Sequence, residues 1–124
     1  MVETDPATAM KAQIRAELIK AMRAKAALKV AALRTVLAAL DNAESVPVGT
    51  QHRRYETHGF GDPVTEVPRR ILTTHEVQAL VRSEITKRID AAGQMDVLGQ
   101  GPQADRLREE ALVLQSLDLG SAAL

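Results

Sequence analysis

Leu33-Arg34-Thr35-Val36-Leu37-Ala38-Ala39-Leu40-Asp41-Asn42-Ala43-Glu44 is the stretch on which the fold turns. Leu33, Leu37 and Leu40 recur at steps of four and three, and Glu44 follows four residues later. Those steps place all four on one face of an α-helix. A strand would alternate every second residue, and this stretch does not. Working back toward the N-terminus, Met10, Ile14, Leu18 and Met22 form one face, continued by Ala26 and Val30. Asp5 and Pro6 suit an N-cap and first helical position. One helix from residue 6 to 44 would be roughly 58 Å long at 1.5 Å per residue. A compact domain of this length is only about 35 Å across. A break near residues 25–28 is therefore predicted from size alone, because no residue there offers a cap.

Beyond Glu44 the chain changes character. Pro47, Gly49, Gly59, Gly61, Pro63 and Pro68 exclude a long helix over residues 45–72. A third helix opens at Thr73-Thr74-His75-Glu76, a capping box, and carries Val77, Leu80, Val81, Ile85 and Ile89 as its apolar face. Gly93 and then Gly99-Gln100-Gly101-Pro102 are expected to end it. A fourth helix is built on Leu107, Leu112, Leu114 and Leu117, with a frayed tail from Gly120. The fold class is all-α: a small bundle of about four helices (6–25, 28–44, 73–98 and 103–117), with a long irregular loop at 45–72 and a single domain over 1–124.

Composition narrows the functional classes. Apolar residues make up 45% and charged residues 26%, a globular profile, and aromatics only 2%, so the core must be aliphatic. With no cysteine there is no disulfide, thiolate metal site or cysteine nucleophile. His52, His58 and His75 lack the i, i+3 or i, i+4 spacing of helical metal ligands, so no metal is expected. The serines sit in no nucleophile elbow, and no phosphate-cradling glycine motif occurs. Neither a catalytic residue nor a cofactor is therefore assigned. No apolar run approaches the roughly 18 residues that would cross a membrane, and a cytoplasmic location is the expectation.

The net charge of zero is unevenly spread. Residues 1–40 carry seven basic side chains against three acidic ones; residues 73–124 carry five against eight. Mutual attraction of the two halves, or a basic face for nucleic acid, would each explain this. Arg34, Glu44, Glu84 and Arg88 lie on or beside apolar helix faces, where charges persist only when paired. One reading is an internal network, Arg34 with Glu84 and Arg88 with Glu44. The other is a groove in which they meet a partner's phosphate or carboxylate. Arg53, Arg54 and Tyr55 form a second candidate set, since a ring can stack on an RNA base while guanidinium groups hold phosphate. Tyr55 and Phe60 could equally anchor the loop on the bundle.

Several segments together resemble the GatB/YqeY family: Ala21-Met22-Arg23-Ala24-Lys25, Leu33-Arg34 through Asn42-Ala43-Glu44, Leu72-Thr73 with Glu76-Val77, Arg82-Ser83-Glu84-Ile85-Thr86-Lys87-Arg88, and Glu109-Glu110-Ala111-Leu112-Val113-Leu114-Gln115. The similarity runs from about Met10 to Leu119. It implies a helical domain, usually followed by a smaller helical tail domain. In the B subunit of the tRNA-dependent amidotransferase, the related region helps hold tRNA while catalysis belongs to other domains. The family's label, a carbon–nitrogen ligase with glutamine as amido donor, comes with the resemblance. This chain departs from the family pattern where an acidic cap gives way to Ala26-Ala27, and where it stops soon after Leu117-Asp118-Leu119. The expected function is thus a non-catalytic domain that binds tRNA or other RNA, or associates with the amidotransferase machinery. The alternative is a protein–protein adaptor or a homodimerisation module.

Overall fold

The computed structural model describes residues 5–45 and 69–117. They form an all-α bundle of four helices, α1 (Pro6–Arg23), α2 (Ala27–Ala43), α3 (Thr74–Val97) and α4 (Gly101–Gln115), with no strand among them. Arg53, Arg54, Tyr55, Phe60 and the tail from Gly120 lie outside the described residues.

Each helix starts for a local reason, though not always a polar one. Asp5 caps α1 by accepting the Thr8 backbone N–H at 2.9 Å, and Pro6 occupies the first turn. Thr73 and Glu76 close a reciprocal capping box on α3, each accepting the other's backbone N–H. The N-caps of α2 and α4, Ala26 and Gln100, make no side-chain capping bond. Those two helices begin where tight turns deliver them.

Both turns share one design. After α1, Ala26 N–H bonds to Ala21 O at 2.9 Å and Lys25 N–H to Met22 O at 3.1 Å. After α3, Gln100 N–H bonds to Met95 O at 2.7 Å and Gly99 N–H to Asp96 O at 3.0 Å. Each pair is a Schellman motif, which needs a left-handed residue just past the helix end. Gly99 supplies it with φ 75° and Lys25 with φ 55°. The first break thus falls at residues 24–26. Gly93 does not end α3, which runs on to Val97; a lone glycine costs a helix about 1 kcal/mol, too little to stop one docked against a neighbour.

The helices pair as two hairpins. α1 lies on α2 and α3 lies on α4, with α2 also packed against α4 and more sparsely against α3. The core between them is aliphatic: Ile14, Leu33, Val36, Leu40, Val81 and Leu114 are fully buried. Met22, Ile89 and Leu112, placed on apolar faces by periodicity, are exposed instead. Helices in so small a bundle bury a stripe, not a half-cylinder. Among the described residues, helix-to-helix ion pairs join α1 to α2 and α3 to α4, and Glu44 at the end of α2 meets Arg69 on the approach to α3.

Candidate functional site

Two buried cations organise the interior polar chemistry. Lys11 lies on the core side of α1, beside Ala7, Met10 and Ile14, and is only 6% exposed. Its ammonium group donates to Glu44 Oε1 at 2.5 Å and to Asp41 Oδ1 at 3.2 Å, both near the end of α2. The hydrogen bond to Glu44 raises the Lys11 pKa despite burial, which works the other way. Arg69 approaches the same carboxylate oxygen at 3.5 Å.

Arg88 is the counterpart on α3, 8% exposed. Its Nε donates to Glu110 Oε1 of α4 at 2.9 Å. Its Nη1 donates to the Glu84 carbonyl at 2.9 Å and to Glu84 Oε1 at 3.0 Å. Burial pushes the Glu84 carboxyl up, but hydrogen bonds from Arg88 and Lys87 and their positive charges outweigh it. The net shift is downward.

The expected pairings are therefore exchanged. Glu44 meets Lys11, not Arg88, because the end of α2 packs on the start of α1. Arg88 meets Glu84 one turn back and Glu110 across the hairpin. Arg34 makes no ion pair with Glu84; it is exposed, with Nη2 3.7 Å from the Met22 sulfur. Lys11 and Glu110 were the residues that sequence reading missed. The signal was there: Lys11 falls in the i, i+3, i+4, i+7 series Ala7, Met10, Lys11, Ile14. Glu110 sits three residues after Leu107 and four before Leu114.

These clusters are closed. Every buried side-chain nitrogen and oxygen among the described residues has a partner. Among the described residues, no group of three His, Cys, Asp or Glu could hold a metal ion, and no helix is long and apolar enough to cross a membrane.

The outer surface of the α1/α2 hairpin differs. Advancing 100° per residue, Arg15, Ile19, Met22 and Arg23 fall within one sector of α1 about 100° wide, away from Met10, Ile14 and Ala21. Ile19 is 47% and Met22 46% exposed, and the contact with Met22 sets Arg34 of α2 alongside. Arg15, Arg23, Lys25 and Arg34 are exposed and form no ion pair among the described residues. No family model matches this chain, and no curated protein or solved structure matches it either.

Proposed function

We propose that this chain is a non-catalytic, GatB/YqeY-like helical domain that binds tRNA or another folded RNA, as a component or associate of the tRNA-dependent amidotransferase machinery. The observation that supports it most is the set of four exposed cations on one hairpin, Arg15, Arg23, Lys25 and Arg34, that form no ion pair among the described residues. Guanidinium and ammonium groups without carboxylate partners are free to meet phosphate oxygens, which dominate nucleic-acid affinity. In this reading Glu44 braces the hairpin that carries the surface, Glu84 and Arg88 brace its neighbour, Arg53 and Arg54 add phosphate contacts and Tyr55 adds base stacking. Glutamine-dependent ligase chemistry is the remaining, weaker reading, since no nucleophile or nucleotide cradle has been assigned.

A second reading has its own support. Ile19 and Met22 present apolar surface between the cations, which suits an acidic amphipathic partner protein better than phosphate. Filter binding with bulk tRNA across a salt series separates the two. Binding should weaken steeply with salt, and the triple reversal Arg15→Glu/Arg23→Glu/Arg34→Glu should remove it without lowering the melting temperature. Single reversals should flatten the salt slope by roughly 0.7–0.9 each. Equal retention of wild type and triple variant, or none at low salt, refutes the RNA reading and leaves the adaptor.

A further inference from the structure

Glu44 joins two parts of the chain that are far apart in sequence. Its carbonyl oxygen accepts the Arg70 backbone N–H at 2.8 Å. Its carboxylate oxygen Oε1 lies 3.5 Å from the Arg69 guanidinium and also accepts from Lys11. The chain past Arg70 is equally well fastened. The Arg70 side chain pairs with Glu76, Leu72 is buried in the core at 2% exposure, and the Thr73–Glu76 capping box starts α3. Every group in this arrangement belongs to residues 11–76 outside the stretch 46–68. The exit from α2 and the approach to α3 are thus held to each other by their own contacts.

We infer that the bundle is stapled at Glu44 and needs no chain continuity across residues 46–68: that stretch is a permissive insert, which can be cut, shortened or exchanged while the four helices stay assembled. Joining ends already in contact through a shorter connection costs no more loop entropy than the native one, and helix–helix connections of about 2–8 residues are ordinary. The consequence for function is separability. Whatever Arg53, Arg54 and Tyr55 recognise can change without disturbing the cationic hairpin face.

The test uses the full chain with a specific protease site placed between Gly59 and Phe60, and a second chain with 46–68 replaced by about six Gly/Ser residues. After cleavage the two fragments should co-elute in gel filtration at micromolar concentration with the helical circular dichroism of the intact protein. The shortened chain should melt cooperatively within a few degrees of wild type. Glu44→Gln in the cut protein should weaken fragment association roughly tenfold, the effect of one charged hydrogen bond. Separation of the cut wild-type fragments, loss of helical signal in either preparation, or equal fragment affinity with and without Glu44→Gln would overturn the inference.

Discussion

The α1/α2 and α3/α4 hairpins reverse direction through the same pair of hydrogen bonds and are each bridged by one buried cation, yet different residues do the work. At the turns, Gly99 adopts its left-handed conformation freely, whereas Lys25 must crowd its Cβ against the backbone. At the bridges, Arg88 presents a rigid fork that reaches a carbonyl and two carboxylates, while Lys11 offers a point charge to two carboxylates. One hairpin is thus specified by special residues, the other by ordinary residues placed where packing leaves no alternative.

The cations give the largest expected contrast. Arg88→Met leaves Glu110 without its cation and Glu84 with only the exposed Lys87, and should cost about 3 kcal/mol, near 12 °C in melting temperature. Lys11→Met should cost about 2 kcal/mol, because Arg69 still faces Glu44, and Lys11→Met/Glu44→Gln should recover much of that loss. Thermal melts decide both; equal losses would erase the distinction between fork and point charge.

The hairpins should also respond to opposite ends of the pH scale. Glu84 is shifted below its ordinary value of 4.5. Its contribution is present above that value and lost as pH falls through the lower folded one. Lys11 is shifted above 10.5, so its contribution holds below 10.5 and is lost as pH rises through the higher folded value. Melting temperature against pH should therefore show a shallower acid limb in Glu84→Gln and a flatter alkaline limb in Lys11→Met. Asp5, also shifted downward by the Thr8 backbone bond, leaves some acid sensitivity in both.

The smallest effect lies in the turns. Lys25→Gly should stabilise by up to about 1 kcal/mol, and Gly99→Ala should destabilise by a similar amount. A Cβ at Gly99 meets nothing within 4 Å, so the second change reads backbone strain alone. Chemical denaturation midpoints would measure both, and a destabilising Lys25→Gly would show that the lysine side chain has a role of its own.

The same contrast explains what could be read in advance. Period-four apolar spacing, Asp5-Pro6, Thr73 with Glu76 and Gly99 all state their structural roles locally, and the helices begin and end close to those signals. The Lys25 turn carries no such signal, and only the limit on domain diameter located it. Pairings across helices were less legible. Arg34, Glu44, Glu84 and Arg88 were recognisable as charges on apolar faces, but which carboxylate meets which cation depends on how neighbouring helices align. Lys11 was passed over because its long stem reads as solvent-exposed until three neighbours in the same series prove buried. The exposed face of Arg15, Arg23 and Arg34 could not be separated from the other cations until Lys20 and Lys29 were seen to share Glu17.

Among the described residues no ion pair links α2 to α4, and the seam where they meet is held by aliphatic contact between such side chains as Leu33, Leu40 and Leu114. Such a joint draws its strength from the reluctance of water to wet it, and that reluctance fades on chilling and grows in sulfate. Near freezing, the molecule will part along this seam sooner than within either helical pair.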